Sequence, residues 1–254
     1  MKQKKEYRPR LTSSEMELIE SNRKQNKKYN IKVKDNVLII GDLHLPFGLD
    51  GYLKFCKDTY KKYKCNRVVF IGDIIDNHYS SYHESDADGL GGKRELELVK
   101  EHIKSWVNAF PVADVTIGNH DRIIMRKAQS SAIPSEWIKE YKDVLGTPNW
   151  NWVEQVVYNG VLYIHGEGGT ARSKMKKELH SVVQGHLHTQ FYCEYAVGSN
   201  FKIFGMQVGC GIDHKSYAMA YAKNYGKPAI GCGVVLENGT LPINVPMDLD
   251  KYKK

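Results

Sequence analysis

The feature that most constrains the fold is an apolar run that stops at a glycine and an acidic residue. Residues 68–71 are apolar at every position, which is typical of a strand buried on both faces in a parallel sheet. Gly72 lets the chain turn sharply after this strand, and Asp73 follows directly. Open α/β sheets bind ligands at the carboxyl ends of their strands. We therefore predict that Asp73 lies at a ligand site, although aspartate is also a common turn residue.

The same pattern occurs once before this strand. Residues 37–40 are apolar, and Gly41, Asp42 and His44 come after them. Side chains two positions apart in extended backbone project to the same side, so Asp42 and His44 form half of a candidate divalent-metal site. The intervening residues 50–63 have the spacing of an amphipathic helix, which predicts a βαβ unit.

Three later strands end in a similar way, and the first of them follows a helix predicted over residues 94–110. The strands at residues 115–117, 161–164 and 182–183 are followed by Gly118-Asn119-His120-Asp121, by His165-Gly166 and by Gly185-His186-Leu187-His188. One such motif alone is weak evidence, because these residues also form ordinary turns. Their repetition at successive strand ends predicts one shared site.

The side chains at these strand ends are carboxylates, an amide and imidazoles, without a thiolate. This chemistry suits manganese first, with iron, zinc or nickel as alternatives, rather than a structural zinc finger. Seven ligands are too many for one ion and suit two divalent ions that share a ligand. The predicted set is Asp42, His44, Asp73, Asn119, His165, His186 and His188.

The order of these motifs resembles the calcineurin-like metallophosphoesterase superfamily. The resemblance spans about residues 37–190 and includes Asp-x-His, Gly-Asp-x-x-Asp, Gly-Asn-His-Asp, His-Gly and Gly-His-x-His. It implies an α/β fold, a four-layer α/β/β/α metallophosphoesterase sandwich whose strand ends carry the metals. It also implies a metal-dependent phosphoesterase.

The resemblance further implies a role for each site residue. Asp42, His44 and His188 would hold the first metal, and Asn119, His165 and His186 the second. Asp73 would bridge the two. Asn119 and His120 would contact the substrate phosphate, and His120 would protonate the leaving group. Asp76 would orient His120 as the second catalytic residue, and a neighbouring carboxylate favours protonated histidine near neutral pH.

Two departures bear on the substrate. Phosphoprotein phosphatases of this superfamily have Arg-Gly where this chain has Asn77 and His78, and glutamate where it has Asp121. The sequence is closer to the branch with the Mre11/SbcD-type nucleases and other phosphodiesterases, but it lacks the long C-terminal extension of those nucleases. We therefore expect a compact nuclease-like enzyme that hydrolyses phosphodiester bonds in DNA or RNA. The alternatives are a small-molecule or nucleotide phosphatase or phosphodiesterase, and a binding module without catalysis.

Residues 77–92 form a polar, aromatic loop that should overhang the same end of the sheet. Tyr79 and Tyr82 are candidate substrate-binding residues, because aromatic rings stack on nucleic-acid bases. His78 and His83 could also bind metal or substrate, but a polar, solvated loop explains them more simply.

The last third of the chain predicts strands at residues 191–197, 201–208 and 230–236. We expect these strands to form the second sheet. His214 lies after the second of them, where a surface position is the simpler explanation than a site role.

The formal net charge of the 254-residue chain is +8. Such a charge attracts polyanions, but a lysine-rich, solvated surface explains it equally well. Residues 1–30 are predicted to be a basic N-terminal arm with a short helix, and residues 31–254 a single metallophosphoesterase domain.

No apolar run reaches the roughly 20 residues that a membrane helix needs, and no apolar segment follows the basic start as in a secretory signal. The five cysteines form no CxxC pair, which favours reduced thiols. These features predict a cytoplasmic protein without a membrane partner. A phage-encoded enzyme that acts in the cytoplasm of its host would fit this prediction.

Overall fold

A computed structural model describes residues 34–82, 89–213, 215–216 and 227–252. The predicted N-terminal arm, His83 and His214 lie outside the described residues.

The described residues contain eleven strands, and all of them lie in one compact unit, Asp35–Lys254. In chain order they are β1 (Val37–Ile40), β2 (Arg67–Phe70), β3 (Ala113–Thr116), β4 (Trp150–Val153), β5 (Gln155–Tyr158), β6 (Val161–Ile164), β7 (Ser181–Gln184), β8 (Phe191–Val197), β9 (Lys202–Val208), β10 (Gly231–Leu236) and β11 (Leu241–Pro246).

The strands form two sheets. The first has the order β11-β10-β1-β2-β3-β4 and the second the order β5-β6-β7-β9-β8. Strands β1 to β4 run parallel to one another, as do β6, β7 and β9, while the other pairings are antiparallel. The carboxyl ends of the parallel strands carry the predicted motifs.

The described α-helices are α1 (Tyr52–Lys62), α2 (Gly92–Ala109), α3 (Ile123–Ser130), α4 (Tyr141–Leu145), α5 (Ala171–Glu178) and α6 (Leu249–Tyr252), with short 3-10 helices at His78–Ser80 and Ser135–Trp137. Helix α1 connects the parallel strands β1 and β2, so the predicted βαβ unit is confirmed. None of the helices in the described part of the chain is long and apolar enough to cross a membrane.

Alternate residues of β1 explain why its sequence is apolar throughout. Leu38 and Ile40 pack with α1 and α2 residues such as Phe55 and Trp106. Val37 and Ile39 instead belong to a second apolar cluster, which also contains residues from the second sheet: Val161, Tyr163, Val183, Phe204, Met206 and Val208. One face of the first sheet therefore meets helices and the other meets the second sheet.

Helix α5 packs against β7 and β9 of the second sheet. Its residues Ala171 and Met175 are fully buried, and a Cβ on Gly205 of β9 would lie only 2.8 Å from the Ala171 carbonyl oxygen. The chain is therefore an α/β protein with two sheets flanked by helices, and the predicted four-layer α/β/β/α sandwich is confirmed.

The predicted composition of the second sheet was wrong in part. Strands β8 and β9 belong to it, but β10 pairs antiparallel with β1 of the first sheet. After β9 the chain crosses between the sheets at Cys210, which forms isolated bridges with both Asp42 and Ile230. Because β10 is apolar on both faces, its side-chain pattern could not indicate which sheet it joins.

Candidate metal centre

The ends of five parallel strands bring the predicted ligands to one place. Asp42 follows β1 and Asp73 follows β2, while Asn119 lies beyond β3, His165 beyond β6 and His188 beyond β7. The carboxylates of Asp42 and Asp73 are almost fully buried. Charged groups at such positions need a partner of opposite charge.

One group of candidate ligands contains Asp42, His44, Asp73 and His188, and one ligand atom from each lies within 4.8 Å of all the others. Nε2 of His188 is 3.1 Å from Oδ2 of Asp42. Nε2 of His44 is 3.6 Å from Oδ2 of Asp73. Two carboxylates and two imidazoles of this kind can hold one divalent ion.

A second group contains Asp73, His165 and His186, again with ligand atoms within 4.8 Å of one another. Nε2 of His165 lies 3.2 Å from Oδ2 of Asp73 and 2.9 Å from Oδ1 of Asn119. Asp73 therefore belongs to both groups, which together contain six of the seven predicted side chains. The seventh, Asn119, contacts His165 of the second group.

The backbone around these ligands is held in unusual conformations. His44, Asp73 and His186 have φ values of 45°, 47° and 67°, in the left-handed region that side chains other than glycine rarely adopt. Gly118 makes room for Asp73, because a Cβ on residue 118 would lie 2.1 Å from Oδ1 of that aspartate. Such strain is common at functional sites, where the surrounding structure maintains it.

Hydrogen bonds to the other ring nitrogen orient two of the histidines. Nδ1 of His165 donates to the Ile71 carbonyl at 2.8 Å, and Nδ1 of His44 lies 2.5 Å from Oδ1 of Asp76. Because Nδ1 of each ring is engaged in this way, Nε2 is the nitrogen that faces Asp73. Histidines that bind metal through one ring nitrogen typically hydrogen-bond through the other.

Two buried ligand atoms lack a hydrogen-bond partner among the described residues, Oδ1 of Asp42 and Nε2 of His44. An orphaned buried acceptor is costly, and a divalent cation would satisfy both atoms. The donor set and these orphaned atoms fit two divalent metal ions.

The electrostatics of the two groups differ. Burial, together with the nearby His120, lowers the pKa of His44 and so favours the neutral ring that binds metal. Burial also opposes protonation of His165, but the carboxylates of Asp73 and Asp42 outweigh it and raise the pKa of that ring to about 10. Without a bound cation, the protonated His165 ring therefore supplies the positive charge beside Asp73.

His120 lies beside the first group, with its ring centroid 4.5 Å from that of His44. Its Nδ1 donates to the Asp76 backbone carbonyl at 2.6 Å and lies 3.6 Å from the Asp76 carboxylate. That carboxylate is closer to His44 than to His120, so the orienting contact implied by the resemblance comes mainly from the backbone of Asp76. Burial works against protonation of His120, but Asp73 and Asp76 outweigh it and raise its pKa.

Tyr79 and Tyr82, the predicted substrate-binding residues, are 61% and 59% exposed. Arg126 and Lys127 of α3 lie over the ring of Tyr82, 5.2 and 5.3 Å from its centroid. No ring contact or hydrogen bond among the described residues joins Tyr79 or Tyr82 to the seven ligands. His78 is buried, with Nδ1 3.8 Å from Oδ2 of Asp76, and belongs to neither metal group of the described structure.

The structural role of Asp121 was not predicted from the sequence. Its fully buried carboxylate accepts the backbone N–H groups of Ile74, Ile75 and Gly118, at 3.0, 3.2 and 2.9 Å. Burial and the neighbouring Asp73 raise its pKa to about 7. These bonds fasten the loop after β3 to the loop after β2, and the only sequence signal was the departure from glutamate.

Sequence reasoning also missed Arg122, for which the chain offers no local pattern. Its guanidinium pairs with both Glu154 and Glu167. The three residues line a cleft of about 290 Å³ together with His165 and Lys174. The cleft therefore adjoins the second group of candidate ligands.

A model of the family described as calcineurin-like phosphoesterase matches residues 36–202, which is more than half of the chain. No curated protein sequence matches the chain.

Several solved structures are similar to this chain at low sequence identity. Vacuolar Protein Sorting 29 from Cryptosporidium parvum is 17% identical with a TM-score of 0.41, covering 81% of this chain and 86% of that one. YfcE, a phosphoesterase from E. coli, is 14% identical with a TM-score of 0.37, covering 83% and 99%. A metallophosphoesterase from Sphaerobacter thermophilus is 11% identical with a TM-score of 0.41, covering 87% and 91%.

Proposed function

Because the chain belongs to the calcineurin-like phosphoesterase family, we propose that it is a two-metal phosphodiesterase that cleaves DNA or RNA. The observation that carries the proposal is the position of Asp73, which is shared by two groups of mostly buried candidate ligands. A shared carboxylate is what two adjacent cations require, and pairs of cations suit in-line displacement at phosphorus.

Asp42, His44, Asp73 and His188 would hold the first ion, and Asp73, Asn119, His165 and His186 the second. Two divalent ions held there would activate water for attack and neutralise charge on the phosphate oxygens. Manganese is the proposed ion, because carboxylate and amide oxygens with imidazoles suit it, and iron, zinc and nickel remain alternatives.

His120 would supply the proton that the leaving oxygen needs. Its Nδ1–H is occupied by the Asp76 carbonyl, so Nε2 is the atom that carries the transferable proton. The charges of Asp73 and Asp76 raise the pKa of this ring despite its burial, which favours the protonated form that a general acid requires. Transfer from Nε2 leaves a neutral ring, which solvent can protonate again.

Two features support a diester over a monoester. Asn77 offers a neutral amide where the phosphoprotein phosphatases have arginine, so a doubly charged monoester would lack one cationic partner. The Asn77 amide is also engaged, since Nδ2 donates to the His120 carbonyl at 2.8 Å. A phosphodiester carries one negative charge and needs less compensation.

Three features support a nucleic-acid substrate. The net charge of +8 favours a polyanion. Arg126 and Lys127 make no ion pair with a carboxylate among the described residues, and both lie over the exposed ring of Tyr82. Their helix α3 begins three residues after His120. Cations beside an aromatic ring are the usual elements of a single-strand binding surface.

A nucleotide-sized substrate is the second candidate, and the cleft beside His165 favours it. A volume of about 290 Å³ suits a small ligand such as a nucleoside. This candidate is the weaker of the two, because the charge of Arg122 in the cleft is already compensated by Glu154 and Glu167.

A panel of substrates with Mn²⁺ tests the proposal: bis-p-nitrophenyl phosphate, p-nitrophenyl phosphate, single- and double-stranded DNA, RNA and cyclic nucleotides. We expect the diester to be cleaved faster than the monoester, and at least one nucleic acid to be cut. Faster monoester hydrolysis without any cleavage of DNA or RNA would overturn the nuclease proposal. Absence of turnover on every substrate would favour a binding module.

A further inference from the structure

We propose that Asn77 is a positioning residue for His120, acting through both its backbone conformation and its side-chain amide. The inference rests on the proposed function, because it concerns the histidine that would protonate the leaving group. Asn77 has φ 53° and ψ 38°, in the left-handed region, and its Nδ2 donates to the His120 carbonyl at 2.8 Å.

Three hydrogen bonds connect His120 to residues 73–77. Its backbone N–H donates to Oδ1 of Asp73 at 2.8 Å, and its Nδ1 donates to the Asp76 carbonyl at 2.6 Å. Its own carbonyl accepts from Asn77. The main chain of His120 is thus fixed on both sides by the loop after β2, and its ring is fixed by the same loop.

The backbone of Asn77 matters because the carbonyl that accepts from the ring belongs to the peptide between Asp76 and Asn77. The left-handed conformation at residue 77 helps to set the direction of that peptide. Asparagine tolerates this region better than most residues other than glycine. A residue that prefers another conformation would turn the Asp76 carbonyl away from Nδ1 of His120.

The amide of Asn77 matters because it restrains the His120 carbonyl. Among the described residues, the other donor to this carbonyl is the Ile123 N–H, at a longer distance of 3.2 Å. Loss of the amide would leave that carbonyl satisfied but less restrained. The local helix should therefore survive, while the ring position becomes less precise. Aspartate at this position would instead place an acceptor against the carbonyl.

The expected defect is in proton transfer and not in metal binding. Asn77 is not among the seven predicted ligands, and among the described residues its side chain has no hydrogen bond to any of their side chains. Misplacement of a reacting group by about 1 Å can cost roughly 10²-fold in rate. The rate should fall most where the leaving oxygen most needs a proton.

Three variants separate the two contributions. Asn77→Gly keeps the left-handed conformation and removes the amide, Asn77→Asp keeps the shape and removes the donor, and Asn77→Ala removes both features. Asn159→Gly is the matched control, since Asn159 is also left-handed (φ 50°) but lies in the turn between β5 and β6, with its amide donating to Asp35.

The experiment measures kcat and KM of the Mn²⁺-loaded proteins on bis-p-nitrophenyl phosphate and on diphenyl phosphate, whose leaving group is poorer. Each variant is also combined with His120→Asn, since a double-mutant cycle reports whether two residues act through each other. Bound metal per chain and thermal unfolding are recorded for every protein.

We expect Asn77→Gly to lower kcat on diphenyl phosphate by about 10- to 100-fold, with a smaller loss on the nitrophenyl diester and little change in KM. Metal content should stay at the wild-type value, Asn159→Gly should match the wild type, and Asn77→Gly should cause no further loss in the His120→Asn background. Asn77→Asp and Asn77→Ala should be at least as impaired.

Wild-type kcat in Asn77→Gly, or the same loss with and without His120, would overturn the inference. Loss of metal in Asn77→Gly would also overturn it, because the role would then be structural. A different result would overturn the proposed role of His120. If His120→Asn alone keeps wild-type turnover on diphenyl phosphate, His120 is not the general acid, and this conclusion does not depend on the Asn77 variants.

Discussion

Oδ1 of Asp76 lies 2.5 Å from Nδ1 of His44, closer than its 3.6 Å separation from Nδ1 of His120. One buried carboxylate therefore orients a candidate metal ligand and also adds negative charge beside the candidate acid. The two groups of residues are not independent, because a change at Asp76 acts on both.

Asp76→Asn should for this reason weaken metal binding as well as turnover. Loss of an outer partner of a metal-ligating histidine typically costs about 10- to 100-fold in metal affinity or activity. Titration of the metal-free variant with Mn²⁺ should give a weaker first site than in the wild type. Unchanged metal affinity with reduced turnover would mean that Asp76 acts through His120 alone.

His120→Asn should retain both metals and lose most of its turnover on a diester with a poor leaving group. General acid catalysis is typically worth about 10²–10⁴-fold, and the loss should shrink for p-nitrophenolate, which needs little protonation. Kinetics on a series of aryl diesters measure this dependence. The same loss for good and poor leaving groups would indicate that His120 only binds the phosphate.

Asp121→Ala should destabilise the fold, because it leaves three buried backbone N–H groups without their acceptor. Unsatisfied buried donors cost about 1–3 kcal/mol each, so we expect a loss of about 3 kcal/mol or more in the free energy of unfolding. Urea denaturation of the metal-free protein measures it. Asp250→Ala is the control, since Asp250 is exposed and its loss should cost less than about 0.5 kcal/mol. Equal effects of the two substitutions would contradict the role of Asp121.

Cleavage of DNA or RNA should depend steeply on salt, while cleavage of bis-p-nitrophenyl phosphate should change little. Contacts between lysine or arginine and phosphates release counterions, so each contact adds to the salt dependence of binding. Arg126→Gln together with Lys127→Gln should reduce this dependence and raise KM for nucleic acid alone. Equal salt dependence of the polymer and the small diester would contradict a basic binding surface.

The convergence of polar residues at the strand ends follows from the sequence, while their roles as metal ligands and catalytic residues stay predictions. Asp42, Asp73, Asn119, His165, His186 and His188 all lie beyond the carboxyl ends of parallel strands, and such strands bring their ends together. Short-range pattern and chain direction were sufficient for this result.

Other features depend on contacts between distant residues and leave no local pattern. Strand β10 is apolar on both faces, so its pairing with β1 depends on the crossing of the chain at Cys210. The hydrogen bond from Asn77 to His120 and the contact of Asp76 with His44 join residues 43 and 32 positions apart. Such contacts follow from the assembled loops and cannot be inferred from spacing.

The central claim is that Asp73 joins two metal sites, and metal content measures it most directly. Wild-type protein, saturated with Mn²⁺ and freed of excess ion, should contain two ions per chain by elemental analysis. Asp73→Ala should lose both, because its carboxylate belongs to both groups of ligands. His188→Ala is the comparison, since it should weaken only the first site. One ion or fewer per wild-type chain, or two ions retained by Asp73→Ala, would contradict the account.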